Sequence, residues 1–467
     1  MANVTGTLVD LPAGPLAFDL GGEWRYDSAQ YIPDPYLATG EPTGFNGSLP
    51  TNGHESVNEV FGEVRVPVLA DLPLVKSFTV NAAFRNSSYD LSGVGSVWTY
   101  SAGGDWKVVD DVAFRGQFQH AIRAPNVGEL FGGTALNFVI PTIDPCGGNQ
   151  PLAQQTAALK AMCVATGVPT GNVWTTVVQD ASKSVGTQTG GNPNLKAEAS
   201  DTITFGVVLT PSFIPGFRAS VDFYSINVKG AIATFGGSAQ GVLNNCYNGT
   251  DPTNANCTAI HRDSTGAIAA PTYINLGNTN LNSLKVEGVD FGGDYAFDPG
   301  FSVLDGDSTV TISTNWAYTG ENKSLANTPG SVSTDCVGAF GGTCGEPLPR
   351  LKGVSRITYL NGPMSISLRW RFIDSVTDDR FLLPLRTGVG AIAPLNSLTN
   401  PVIPTFNYID LSGSYDVTDK ITFTAGINNL FDLTPPVEIK SSYGNTWPGT
   451  YDAFGQTFFI SVSAKTE

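Results

Sequence analysis

The chain is poor in charge, in histidine and in methionine, and has no long apolar run; each shortage excludes something. Only 14% of its 467 residues are Asp, Glu, Lys or Arg, against roughly a quarter in ordinary soluble proteins. No uninterrupted apolar stretch reaches the about 18 residues that a membrane-crossing helix needs. The formal net charge is −16 and no segment clusters Lys and Arg, which argues against a nucleic-acid surface, because phosphate neutralisation needs a basic patch. His54, His120 and His261 are far apart in sequence and no Ser or Cys constellation accompanies them, so no catalytic residue is nominated and an enzyme is not expected. The Asp305–Ser308 stretch, DGDS, begins like a calcium loop but lacks the spacing and the closing Glu, and reads as a turn. Glycine pairs fall between loops and not between a strand and a helix, which leaves a phosphate cradle unsupported. Neither a metal site nor a cofactor is expected. The opening MANVTGTLVDLPAGP has no basic stretch followed by an apolar one, so it is not a signal peptide, and any export signal is expected upstream of it.

What the chain does have is glycine, 53 residues of it, much Asn, Thr and Ser, and a strict two-residue alternation. Residues Ile366 to Phe372 read ISLRWRF: Ile366, Leu368, Trp370 and Phe372 fall on one face, Ser367, Arg369 and Arg371 on the other. The same pattern recurs at Val112–Gln119, where Arg115, Gln117 and Gln119 oppose Val112, Phe114 and Phe118. It recurs again in Ser200–Pro211 and Ser308–Thr319. A wall with lipid on one side and water on the other requires this pattern in every strand, whereas a soluble sandwich merely permits it. Short connections (LPAG, DLP, WKVVD, PSFIPG, NGP, VTD) alternate with long polar ones, the layout of short periplasmic turns and long outer loops. The expected fold is therefore all-β: an antiparallel transmembrane β-barrel wall of about 14–16 strands. One segment inside the first long loop, PLAQQTAALKAMCVATG, suits a short helix. Aromatic residues near strand ends (Trp98, Tyr100, Trp316, Tyr318, Trp370, Phe372) suit interface girdles. His120, on the apolar side near the end of its strand, suits an interface position.

The six cysteines fall into three close pairs, Cys146 with Cys163, Cys246 with Cys257 and Cys336 with Cys344. Each pair lies in a polar segment between strands. An even count in loop-clipping pairs points to disulfides and an oxidising compartment. Metal ligation is the rival reading, but no Cys-x-x-Cys spacing occurs and only His261 lies near a pair.

Several segments resemble the barrel of TonB-dependent outer-membrane receptors. They are FRGQFQHAIRAPNVGELF (Phe114–Phe131), GNPNLKAEASDTITFGVVLTP (Gly191–Pro211), FRASVDFYSINVKGAI (Phe217–Ile232), LNSLKVEGVDF (Leu281–Phe291) and YIDLSGSYDVTDKITFTAGINNLFDLTPP (Tyr408–Pro436). They stand in the family's order and cover the chain from about residue 110 onward; LPAGPLAFDLGGEWRYD fits less distinctively. The resemblance implies a bacterial outer-membrane receptor for energy-coupled uptake of a scarce ligand such as a siderophore, vitamin or oligosaccharide. Its partners would be that small molecule, outer-membrane lipid, and a TonB complex reached only through a missing N-terminal region. A full family barrel has about 22 strands together with a plug domain and a TonB-box, so residues 1–467 are expected to be the C-terminal part of a barrel without its plug, and not transport-competent alone. The chain also departs from the family at its end, where FFISVSAKTE lacks a terminal aromatic residue. Within the passage, Glu63, Arg115, Arg369 and Arg371 are the candidate lumen-lining side chains, and the cysteine loops are the candidate ligand-contact regions. A passive porin-like channel and a secreted β-rich binding protein are the alternatives. The second requires apolar faces sealed by another sheet.

Overall fold

The computed structural model describes the chain except residues 40–45, 140–141, 178–183, 270, 327–331, 389–391, 399, 439–444 and 466–467, and the side chains of residues 281, 282 and 397. Thr466 and Glu467, two of the non-aromatic terminal residues, thus lie outside the described residues.

Residues that alternate apolar and polar form strands, and in the large sheet each strand pairs antiparallel with the next strand of that sheet along the chain. One sheet holds 16 strands; a short one, Thr334–Asp335, pairs only at its rim, which leaves fifteen in a single path. These are Ala2–Leu11, Gly14–Tyr31, Thr51–Leu72, Val75–Tyr89, Ser96–Val109 and Val112–Arg123. Next come Glu198–Leu209, Phe217–Thr234, Asn278–Phe297 and Ser308–Ala326. The path ends with Leu351–Asn361, Met364–Ile373, Phe406–Thr418, Ile421–Asn428 and Thr457–Ala464. Because fifteen is odd and every pairing is antiparallel, the first and last strands run in the same direction. Among the described residues these two do not pair with each other.

The expected alternation holds in three dimensions. Ile366, Leu368, Ile357, Phe205, Phe223 and Phe423 all lie on one face and stay exposed, at 40–56%. The two remaining sheets among the described residues have three strands each and belong to the long loops, so among those residues no second sheet seals this face, as a soluble sandwich would require. An apolar surface of this extent on one face of the wall is a lipid-facing surface.

The turns are tighter than the sequence suggests. WKVVD is not a connection: Trp106 to Val109 continue the strand, and only Asp110 and Asp111 turn. Thr418 likewise stays in its strand, while Pro211 lies outside the strand that ends at Leu209. In each case the ladder of hydrogen bonds runs as far as the backbone can be paired, and Pro211, with no N–H, cannot extend it. The helix expected in the first long loop forms at Ala157–Ala165.

Leu368, near the middle of its strand, tests the orientation of the wall. Leu368→Arg is expected to destabilise the barrel by about 2–4 kcal/mol, measured by urea unfolding in lipid vesicles; a change below about 0.5 kcal/mol, as at ordinary surface sites, would place this face in water.

Candidate functional site

Two regions bring chemistry-bearing side chains together: the polar inner face of the wall and the disulfide-clipped loops at its outer rim.

On the inner face the nominated cations are neutralised by carboxylates on neighbouring strands. Arg115 grips Asp222 with two parallel bonds, Nε to Oδ1 at 2.7 Å and Nη2 to Oδ2 at 2.6 Å. This planar fork is the strong form of the Arg–carboxylate pair. Gly206 lies between them, where a side chain would collide with Asp222. Glu63 and Arg115 line one cavity of about 300 Å³ together with Arg65, Asp105 and Gln117. Arg369 and Arg371 form a separate group: both donate to Asp410 Oδ2, at 2.7 and 2.9 Å, and Arg371 also reaches Asp452. Arg371 packs over the Tyr408 ring, 4.6 Å from its centroid. The structure thus assembles the four nominated residues in two places, not one. It adds Asp222, Asp410 and Asp452, which sequence reasoning missed; in the sequence the first two are only further polar positions of alternating strands, and Asp452 is one polar residue of the loop before the last strand.

The family-like landmarks knit the rim. Arg123, from the Arg-Ala-Pro segment, binds Glu198 of the Asn-Pro-x-Leu-Lys-x-Glu segment through Nε at 2.6 Å and Glu129 through Nη1 at 2.9 Å. Asn126 and Glu129 close a capping box on the short helix Val127–Phe131. Leu130 of this helix buries in one cluster with Leu195 and Leu91. Gly191 passes so close that a Cβ there would lie 2.5 Å from the Gly132 nitrogen. Asn429, fully buried at φ +53°, accepts from Leu433 N–H and donates to the Leu433 carbonyl, both at 2.9 Å. Asn tolerates this left-handed backbone better than most residues.

All three disulfides form as paired in the sequence reading, with Cα–Cα distances of 5.7, 4.8 and 5.4 Å. The first two belong to one outer lobe. Thr156 caps the Ala157–Ala165 helix by accepting from Leu159 N–H at 3.2 Å, and Ser238 caps the Ala239–Tyr247 helix by accepting from Gly241 N–H at 3.0 Å. Cys163 and Cys246 on these helices enter a common core with Met162, Val242, Leu243 and Ile274. Strand Val185–Thr189 lies between Ala135–Val139 and Ile274–Asn275, joining the two loops by backbone bonds. A buried ion pair welds them further. Arg262, 2% exposed, donates to both Asp144 oxygens at 2.6 and 2.8 Å, to the Tyr247 hydroxyl at 2.9 Å and to the Gly266 carbonyl at 2.7 Å. Burial opposes the charge, but Asp144 and Tyr247 outweigh it and hold the guanidinium above its ordinary pKa.

Between the two helices opens a cleft of about 970 Å³ with an apolar floor that includes Leu159 and Met162 and a rim of Gln150, Gln154, Asn244, Asn248 and Tyr247. Among the described residues no Asp, Glu, Lys, Arg or His lines it. Such a concave site with few polar groups is the kind that takes small molecules. The third disulfide sits in a second lobe, where Thr343 and Cys344 N–H donate to Asp379 at 2.6 and 2.9 Å and Phe340, Tyr408 and Tyr451 share a core. The side chains of these loops were not legible individually, because loop positions carry no period.

A family model described as TonB dependent receptor-like, beta-barrel, matches residues 2–430. No curated protein matches the sequence. Among solved structures, a mutant ferric enterobactin receptor PfeA from Pseudomonas aeruginosa in complex with enterobactin aligns at TM-score 0.58 and 17% identity, covering 99% of this chain and 53% of that one. The siderophore receptor PirA from Acinetobacter baumannii aligns at TM-score 0.56 and 16% identity, covering 99% and 54%. The FrpB iron transporter from Neisseria meningitidis aligns at TM-score 0.52 and 13% identity, covering 99% and 55%. At these identities the likeness is one of fold, and the chain spans about half the length of each of these structures.

Removing one member of the buried pair is expected to loosen the lobe. Arg262→Met leaves the buried Asp144 carboxylate without its cation, although Cys146 N–H still donates to it, and should cost the lobe about 3–5 kcal/mol, much of it recovered in the double variant R262M/D144L. Hydrogen exchange at the core amides of Val242 and Leu243 measures this. Unchanged protection in the single variant would show that the shared core and the three-stranded sheet hold the two loops together without the ion pair.

Proposed function

Given that the chain belongs to the TonB-dependent receptor β-barrel family, we propose that it forms part of the wall and the outer lobes of an outer-membrane receptor for energy-coupled uptake. Family members are bacterial outer-membrane proteins, and a wall with exposed apolar outer residues and a charged inner face suits that place. The observation that carries the reading is the family match over residues 2–430. The ligand is a scarce small molecule of the siderophore, vitamin or oligosaccharide kind, and siderophore receptors stand among the structural neighbours. The outer lobes capture it, with the about 970 Å³ cleft as the contact region, and the polar inner face lines its way.

The same reading makes residues 1–467 one part of a barrel. The edge strands Ala2–Leu11 and Thr457–Ala464 run in the same direction and have no partner among the described residues on their outer edges. In lipid, unpaired backbone groups cost several kcal/mol each. Function therefore depends on further strands closing the wall, on a plug, and on contact with a TonB complex through that additional region.

Uptake in the source bacterium tests this directly. Cells with and without the gene are given radiolabelled ferric siderophore, cobalamin and oligosaccharide, before and after a protonophore collapses the inner-membrane gradient. The expected result is gene-dependent uptake of one probe that stops with the gradient. Gene-dependent uptake that survives the protonophore would make the protein a passive channel. The intact mass of the gene product from detergent-extracted outer membranes provides a second check: a species well above 49.1 kDa is expected, and one at that mass would reject the partial-barrel reading.

A further inference from the structure

The cleft between helices Ala157–Ala165 and Ala239–Tyr247 carries amide groups that the fold fixes in place but does not use up. Gln240 is held from both sides. Its Oε1 accepts from the Ile143 N–H at 2.7 Å, and its Nε2 donates to the Ile143 carbonyl at 3.1 Å and to Asn244 Oδ1 at 3.0 Å. The Asn244 amide is thereby oriented, and its Nδ2 has no acceptor among the described residues. In the segment before the first helix, Gln150 Nε2 donates to Gln154 Oε1 at 2.9 Å, which leaves Gln154 Nε2 free. Gln150 itself is only 9% exposed, yet its Oε1 accepts from no described residue. Nearly all buried polar groups are hydrogen-bonded, so an occupant of the cleft that donates to Gln150 would complete the set.

Between these amides the lining is aliphatic. Ala158, Ala161 and Ala165 are exposed on the first helix, with Leu159 beside them. Among the described residues Tyr247 is the one aromatic side chain that lines the cleft. It is 6% exposed, and Arg262 and Thr166 already engage its hydroxyl. No ring therefore lies open for a sugar to stack upon. Charge is kept out as well. Arg262 and Asp144, next to Tyr247, neutralise each other at 2 and 3% exposure, and no ionisable group except that tyrosine lines the cleft among the described residues. An anion entering would lose water and meet no cation, the cost that burial sets on any uncompensated charge. An uncharged ligand avoids that cost.

We propose that this cleft binds an uncharged, peptide-like ligand: Gln150 Oε1 takes a ligand N–H, Gln154 and Asn244 donate to ligand carbonyls, and aliphatic substituents lie on the alanines. A side-chain amide offers the same donor and acceptor chemistry as a peptide group, which is what selects this occupant. The cleft, about 970 Å³, is at the upper end of the about 300–1,000 Å³ of small-molecule sites. The proposal rests on the receptor reading above and narrows it. Among the ligand kinds named there, a siderophore built on a neutral peptide matches this lining, and an anionic ferric catecholate or an oligosaccharide does not.

The test uses the gene product extracted from outer membranes into detergent, with native mass spectrometry as the readout. The probes are a mixture of acetylated and amidated tetrapeptides of Ala, Leu and Val, the same peptides with a free C-terminal carboxylate, ferric enterobactin and maltotetraose. The expected result is binding of capped peptides, preferred by about tenfold or more over the free acids. Gln154→Lys, which sets a cation on the rim, should reverse that preference. Ala161→Trp, which fills the cleft, should abolish binding of both forms while hydrogen exchange at Val242 and Leu243 stays unchanged. If it loosens those amides, the reversal in Gln154→Lys decides alone, because a merely structural role for Gln154 would not invert a charge preference. The proposal is overturned if no capped peptide binds, if the free acids bind equally well, or if binding survives Ala161→Trp in a lobe that stays folded. Tighter binding of ferric enterobactin or maltotetraose, removed by Ala161→Trp, overturns it too. Each of these leaves the receptor reading standing, whereas failure to find the protein in outer membranes at all would reject that reading instead.

Discussion

Everything in this molecule depends on the pairing of backbone groups at membrane depth. In hydrocarbon an N–H or C=O without a partner costs several kcal/mol, so a spanning chain must satisfy each one within its own ladder or helix. With no apolar run long enough for a helix, the ladder is what remains. It explains why strands extend into residues that look like turns, such as Trp106 to Val109, and why the connections at one end shrink to two residues, as at Asp110 and Asp111. It also explains why the direction of the two edge strands matters more than any single side chain.

The second constraint is charge. The polar face of the wall carries Arg, Asp and Glu, and these charges meet in pairs across the strands. Arg115 with Asp222, Arg369 and Arg371 with Asp410, and Arg123 with Glu198 and Glu129 all follow this rule. Partly exposed pairs of this kind contribute little stability; what they set is the charge pattern of the polar face. The buried Arg262–Asp144 pair is different in kind. Its loss would strand a charge, so it fixes how the two loops sit against each other and thereby shapes the cleft between their helices.

The outer lobe shows how a loop region becomes a small folded unit. Caps at Thr156 and Ser238 start the helices, disulfides tie each helix to its flank, and a short three-stranded sheet binds the ends. None of these alone makes a core of useful size. Together they bury Met162, Val242, Leu243 and Ile274, and a rigid concave surface results at the rim of the wall.

By itself the sequence determined the class of the fold, because a period of two is a local property: Ile366, Leu368, Trp370 and Phe372 share a face whatever else the chain does. It also determined the cysteine pairs, since close spacing inside separate loops leaves each partner nearest its own, and the placement of His120 on the outward face. Only the tertiary structure decided which charges meet. Asp222 lies 107 residues from Arg115 and Asp452 lies 81 from Arg371; register between strands brings the first pair together, and the folding of the loop before the last strand brings the second. The cleft was likewise invisible, for a physical reason: it is assembled from several segments whose relative placement is fixed only when the fold is complete.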